Sequence, residues 1–182
     1  MSEKELILHC APTLAGMKTG SLFGCHYPSV TEMYGHIRRF NAAYRRKGVC
    51  AVPLQYRDGR ALIYLYRPAR LKKDLTARDA GQILGGLDYP CDDHARCVVR
   101  LIRRLEEQKA FPHEIGLFLG YPPEDVRGFM ENRPNPKCTG VWKVYGDADA
   151  ARKTFAKYHK CTAVYRQKWA EGRPIERMIV AG

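Results

Sequence analysis

The stretch VCAVPLQYRDGRALIYLYRP, residues 49–68, contains the two strands on which the fold depends. Two runs rich in β-branched and aromatic residues are joined by Asp58-Gly59, a dipeptide that suits the two-residue turn of a β-hairpin. Pro53 has no backbone N–H to donate, so the first strand is predicted to lie at a sheet edge or to carry a bulge. In the second strand, alternation predicts one shared face for Leu62, Tyr64 and Tyr66.

Helical patterns lie on both sides of this hairpin. Before it, we predict a short helix over residues 3–9, a strand over 19–27, and a helix capped by Ser29 that stops at Gly48. After it, we predict helices over 77–84, 92–109, 113–119, 122–132 and 147–172, a strand over 141–145, and a last strand in the tail 174–182. The predicted class is therefore α+β: a single domain over residues 1–182, with a small, mostly antiparallel sheet whose central β-hairpin packs against several helices.

The length and the cysteine pattern indicate an ordinary intracellular domain. The 182 residues suit one domain, and no apolar run approaches the roughly 20 residues that span a bilayer. The N-terminal residues lack the apolar core of a signal peptide. The seven cysteines are irregularly spaced and contain no CxxC pair, which favours reduced thiols over disulfides or a structural zinc site. We therefore expect a cytoplasmic protein.

The net charge favours an acidic partner. Lysine and arginine total 31 against 19 acidic residues, a formal net charge of +12. Candidate partners are nucleic acid, a phosphorylated or otherwise anionic small molecule, and an acidic protein. Nucleic acid is disfavoured, because the chain contains no recognised nucleic-acid-binding motif. The alternative is a basic surface that only keeps the protein hydrated.

The first candidate for chemistry is HCAPTLAGMKTGSLFGCH, residues 9–26. Cys10 is the candidate nucleophile, because Pro12 is expected to bend the chain beside it. His9 and Lys18, which are close in sequence, would favour the thiolate form of this cysteine. The alternative is a buried, unreactive thiol.

The second candidate is FPHEIGLFLGYPPEDV, residues 111–126. His113 and Glu114 follow a proline at a predicted helix start, where His113 suits a general base or a single metal ligand. A zincin site is excluded, because residue 117 is leucine and HExxH is absent. A helix-capping role is the alternative. Trp142 and Tyr145, further along, are core aromatics unless they are exposed as stacking platforms.

Five segments spread through the chain resemble one family. They are HCAPTLAGMKTGSLF, GRALIYLYRP, FPHEIGLFLGYPPEDV, CTGVWKVYGD and KCTAVY. In this order they are similar to the DUF3793 family of anaerobic, mostly clostridial bacteria, and the resemblance covers nearly the whole chain. It implies a single-domain cytoplasmic bacterial protein without an assigned activity, whose relatives lie near flavodoxin and iron-uptake genes. The positions that match the family's motifs are His9, Cys10, Lys18, His113, Glu114, Cys138, Trp142, Tyr145 and Cys161.

Three functional hypotheses follow, and none identifies a particular cofactor. The first is a thiol- and histidine-dependent enzyme, or a redox-linked cofactor- or metal-binding protein, with catalytic Cys10, His113 and Glu114. His9, Lys18, Trp142 and Tyr145 would bind the substrate. This enzyme requires an accessible Cys10 within reach of the second cluster's histidine. The alternative is a non-catalytic basic adaptor for an acidic redox protein such as a flavodoxin, and RNA binding is a third hypothesis.

Overall fold

The computed structural model describes residues 1–107 and 110–182, which contain eight α-helices and five β-strands. The helices are α1 (Glu3–Leu14), α2 (Val30–Tyr44), α3 (Pro68–Thr76), α4 (Arg78–Gly85), α5 (His94–Glu107), α6 (Ile115–Phe118), α7 (Pro123–Met130) and α8 (Ala148–Ala170). The strands are β1 (Gly20–His26), β2 (Cys50–Arg57), β3 (Arg60–Tyr66), β4 (Cys138–Thr139) and β5 (Lys143–Val144). The predicted α+β class is confirmed.

The chain divides into two compact units. The first comprises residues 1–70 and 160–182, and the second comprises residues 71–159. The single domain over the whole chain stays a prediction. None of the helices in the described residues combines the length and the apolar character needed to cross a membrane.

The predicted hairpin forms the centre of the first unit. Asp58 and Gly59 take φ angles of 49° and 75°, the left-handed pair that a type I′ turn requires. The three antiparallel strands are ordered β1-β3-β2, so β2 is an edge strand, and its register shifts between Pro53 and Gln55. Both expectations for the proline-containing strand are therefore confirmed.

Two helices cover one face of this sheet, where α1 packs on β1 and α2 packs on β2. The core beneath them takes alternate residues of β3, namely Ala61, Ile63 and Leu65. Tyr64 and Tyr66 stack with ring centroids 4.7 Å apart, as expected for side chains that share the other face.

The first helix is longer than predicted, and Cys10 lies within it. Ser2 and Glu5 form a capping box at its start. Pro12 does not bend the chain away, because it lies in the last turn, where a proline forfeits only one backbone hydrogen bond. The expected bend next to Cys10 is therefore wrong.

The predicted last strand is also wrong. The tail forms a 3-10 turn, Ile175–Arg177, and then packs Met178 and Ile179 into the core. Short apolar runs such as this one do not distinguish a strand from a buried turn. Helix α3 was not predicted at all.

Arg67 joins the tail to the end of α1. Its guanidinium donates to the carbonyl oxygens of Thr13 and Leu14, both at 2.6 Å, and to that of Val180 at 2.7 Å. The side chain is buried at 3% exposure. A cation there also complements the negative C-terminal end of the helix dipole.

The second unit contains the short helices of the predicted middle region. Helix α5 matches the prediction over residues 92–109 at its start, and the predicted end at Lys109 lies outside the described residues. The predicted strand over 141–145 shortens to β5, which pairs with β4 in a small hairpin. Asp147 caps α8 as expected, since its Oδ1 accepts from the backbone amides of Asp149 and Ala150.

Candidate functional site

Cys10 is fully buried in the first unit. Its exposure is 0%, and this burial raises the pKa of the thiol well above its ordinary value. The nearby Lys18 and a hydrogen bond with Ser21 act in the opposite direction without offsetting the burial. A thiol in this state stays protonated at neutral pH, and burial is the condition under which the nucleophile hypothesis fails. Cys10 therefore has no part in the function proposed below.

Lys18 and His9, the other two residues of the first candidate segment, differ in their exposure to solvent. Lys18 is 9% exposed, and burial lowers the pKa of its ammonium to about 8. His9 is exposed and stacks on Phe23, with ring centroids 5.9 Å apart. The cluster is therefore a buried polar pair of Cys10 and Lys18 with a surface histidine beside it.

Lys18→Met is expected to remove a contribution to stability that rises with pH. Because the folded pKa of about 8 lies below the ordinary value of 10.5, Lys18 binds more protons in the unfolded state between these values, and its contribution to stability rises with pH across that interval. The variant should lose this rise, which amounts to roughly 3 kcal/mol at about 1.4 kcal/mol per pKa unit. Urea unfolding at neutral and alkaline pH measures it. Lys4→Met, at an exposed site, is the control, and parallel pH profiles for all three proteins would contradict the prediction.

Glu114 is held in a buried ion pair within the second unit. Its Oε1 accepts from Arg104 Nε at 2.6 Å and from the hydroxyl of Tyr89 at 2.9 Å. The carboxylate is 2% exposed, and the Arg104 guanidinium also lies 5.8 Å from the centre of the Tyr89 ring. Glu114 is thus fixed by structural partners, and it anchors the segment that carries His113.

His113 lies on a pocket of about 440 Å³, which we call the aromatic pocket. Its walls come from the start of α6, from α7 and from the β4–β5 hairpin. The aromatic walls are Phe111, Tyr121, Phe129 and Trp142. The other lining residues are His113, Ile115, Gly116, Leu119, Asp125, Val126, Thr139, Gly140, Val141 and Lys143.

Asp125 fixes the orientation of Trp142. Its Oδ2 accepts from the indole Nε1 at 2.7 Å, and its Oδ1 accepts from the backbone amides of Tyr145 at 2.6 Å and Gly146 at 2.8 Å. The carboxylate is 3% exposed, so these three donors compensate for its burial. One side chain of α7 therefore holds both the indole and the backbone after β5.

Aromatic contacts hold the indole of Trp142 on two further sides. Tyr121 stacks on it with ring centroids 4.7 Å apart, and Phe155 meets it edge-on at 4.5 Å. These offset and edge-on arrangements are the favourable ones for aromatic rings. The wall formed by Trp142 is therefore pre-formed without a ligand.

Two basic side chains lie beside Phe129 at this pocket. The His113 ring meets Phe129 edge-on at 4.8 Å, and Lys143 Nζ lies 5.3 Å from the Phe129 ring centre. Both side chains are exposed. In the described residues, no carboxylate forms an ion pair with Lys143. The pocket thus combines an apolar interior with basic groups that solvent can reach.

The structure brings together only some of the residues singled out in the sequence. His113 and Trp142 line the aromatic pocket, whereas Tyr145 packs its ring against Gly128, where a Cβ would lie 2.6 Å from Tyr145 Cγ. Sequence reasoning missed Phe129, Asp125 and Lys143. The run VWKVY held no signal for Lys143, because strand alternation predicts opposite faces for Trp142 and Lys143, whereas both line the pocket.

The described residues contain no candidate set of metal ligands. In residues 1–107 and 110–182, no group of three histidine, cysteine, aspartate or glutamate side chains is close enough to hold a metal ion. The seven cysteines are all free thiols.

Comparison with protein families gives a match over nearly the whole chain. A family model described as "Protein of unknown function (DUF3793)" matches residues 6–179. No curated protein and no solved structure matches the chain.

Proposed function

The chain belongs to the DUF3793 family, and we propose that its second unit binds a small, flat aromatic molecule that carries an acidic group. The observation that carries this proposal is the aromatic pocket, with four ring systems and basic groups beside one of them. Ligand sites are typically concave, mostly apolar, and supplied with a few polar groups that set orientation. The class includes aromatic acids and acidic heteroaromatic cofactors.

Shape and rigidity support a flat ligand. A volume of about 440 Å³ falls within the range of small-molecule sites. Trp142 is held by Asp125, Tyr121 and Phe155, so a ligand that stacks on it need not order the ring first. Pre-organisation of this kind increases affinity by reducing the entropy lost on binding.

Charge supports an acidic ligand. Asp125 is the carboxylate among the lining residues, and three donors already occupy its oxygens. Lys143 therefore gives the pocket a positive group to which a ligand carboxylate or phosphate can bind. His113 is the one imidazole among the lining residues, and histidine is the side chain that most often acts as a general acid or base in enzymes. In an enzyme built on this pocket, His113 is the acid–base group.

Lys143→Met is expected to weaken binding of an aromatic acid by at least about tenfold, because a hydrogen bond to a charged group contributes about 1.5–3 kcal/mol. The probe is 2-naphthoate, titrated by calorimetry, with the uncharged 2-naphthamide as its matched analogue. The amide should bind the wild type and the variant equally. Lys157→Met, at an exposed site on α8, is the control protein and should bind 2-naphthoate as the wild type does.

Two results would count against the proposal. The first is no measurable binding of either probe to the wild type. The second is an equal loss of 2-naphthoate affinity in Lys143→Met and Lys157→Met, because that pattern indicates diffuse attraction by the net charge and not a site.

The charge distribution favours a second candidate, the basic adaptor. The first unit carries sixteen of the 31 basic side chains but six of the 19 acidic ones, a net charge of +10 of the total +12. Five of these cations lie between residues 38 and 47. An acidic protein such as a flavodoxin would dock there by complementary charge.

A salt series tests this adaptor. Affinity for an acidic flavodoxin should fall steeply with ionic strength, and Arg45→Glu combined with Arg46→Glu should weaken binding and reduce its salt dependence. An affinity that salt does not change would contradict it. We place both candidates in the cytoplasm, since seven free thiols suit a reducing compartment.

A further inference from the structure

Helix α5 of the second unit carries a groove lined by three arginines, which we call the arginine groove. Its volume is about 370 Å³, and its lining residues are Asp88, Pro90, Arg96, Val99, Arg100 and Arg103. We propose that this arginine groove binds the phosphate groups of a small phosphorylated ligand. None of the residues that line it also lines the aromatic pocket, so the inference does not rest on the proposed function.

The three arginines share one face of the helix. Arg96, Arg100 and Arg103 follow at spacings of four and three residues, which place side chains on the same side of an α-helix. The opposite face of α5 is buried through Cys97, Val98, Leu101 and Leu105. The arginine face is therefore the one that remains for contact with solvent or a ligand.

Arg100 lines the groove, and its side chain is 30% exposed. Its Nε is buried and has no hydrogen-bond partner within the described residues, so a ligand in the groove does not reach this atom. A phosphate would instead bind at the terminal N–H groups of the guanidinium, because the planar fork matches the geometry of phosphate.

The carboxylates near the groove do not neutralise it. Arg96 lies 3.9 Å from Asp92 and Arg100 lies 3.6 Å from Glu107, and exposed pairs at these distances contribute little. Asp88 is the one carboxylate among the lining residues, against three guanidinium groups. The wall of the groove is therefore net positive.

Arg104, the next residue after Arg103, differs from the groove arginines because it is paired within the fold. Arg104 donates to the buried Glu114 at 2.6 Å and has its carboxylate partner within the fold. Arg103 is exposed and forms no ion pair with any described residue. Val99 and Pro90 add apolar surface beside the cations, which suits the organic part of a phosphorylated molecule.

Calorimetric titration of the full chain with inorganic tripolyphosphate tests the inference. The wild type should bind one tripolyphosphate, and Arg100→Gln with Arg103→Gln should weaken binding at least about tenfold. The control replaces two exposed arginines of the same unit, Arg133→Gln with Arg152→Gln, and should change affinity less than about twofold. Arg103→Gln alone, at an exposed site, keeps the test available if the double variant does not fold.

ATP and adenosine complete the experiment. If ATP binds more tightly than tripolyphosphate and adenosine does not bind, the ligand class is a nucleotide. If ATP and tripolyphosphate bind equally, the ligand class is a polyphosphate. Both results support the groove. No binding of either phosphate compound, or equal losses in the two double variants, would overturn the inference.

Discussion

Replacing Arg67 with methionine is expected to lower the free energy of unfolding by about 3–5 kcal/mol, because hydrogen bonds from a charged donor contribute about 1.5–3 kcal/mol each. Three carbonyl oxygens lose their donor at once, those of Thr13, Leu14 and Val180. Two of them end α1, and the third fixes the tail. Urea unfolding followed by far-ultraviolet circular dichroism measures the loss.

Arg70→Met is the matched control for this change. Arg70 also donates to a carbonyl oxygen, that of Gly16 at 2.6 Å, but its side chain is exposed. Its loss should lower the free energy of unfolding by less than about 1 kcal/mol. If the Arg67 variant fails to fold, Arg67→Lys gives an intermediate loss. Equal stabilities for the Arg67 and Arg70 variants would contradict the role of Arg67 in holding the end of α1 and the tail.

Asp125→Ala is expected to destabilise the second unit by about 3–5 kcal/mol and to abolish binding in the aromatic pocket. The change leaves the Trp142 indole and the backbone amides of Tyr145 and Gly146 without their acceptor. The wall formed by Trp142 then loses its fixed orientation. Urea unfolding measures the stability, and calorimetry with 2-naphthoate measures the binding.

Asp125→Asn separates the two roles of this carboxylate. An amide oxygen can still accept from the two backbone amides, while its NH₂ group faces the indole N–H and cannot accept from it. We expect a smaller loss of stability with a clear loss of 2-naphthoate affinity. Asp149→Asn, at an exposed surface ion pair, is the control. Wild-type affinity in Asp125→Asn would contradict the positioning of Trp142.

The elements with strong local signals could be predicted from the sequence. Asp58-Gly59 requires a particular backbone conformation, and the alternating runs beside it leave one strand pairing. The cap at Asp147 is equally local. Prediction failed at two places: α1 continues through Pro12, which lies in its last turn, and the tail forms a turn because the distant contacts of Ile175 bury it in the core.

The candidate site was predictable only in part, for the same physical reason. His113 and Trp142 stood out by residue type, and both line the aromatic pocket. Asp125 looked like an ordinary acidic residue in a first helical turn, because its donors lie 17 to 21 residues away in the chain. Cys10 stood out by residue type as well, but burial decides its chemistry, and spacing does not reveal burial.

The central claim, that the aromatic pocket binds a flat aromatic acid, can be tested by fluorine NMR of the protein labelled with 5-fluorotryptophan. The chain has two tryptophans, so the spectrum holds two resonances, and Trp169→Phe assigns them. Trp142 lines the pocket, and Trp169 lies in the first unit. On titration with 2-naphthoate, the resonance of Trp142 should shift and saturate at one equivalent, while that of Trp169 stays fixed. No shift at Trp142, or a shift at Trp169 alone, would contradict the claim.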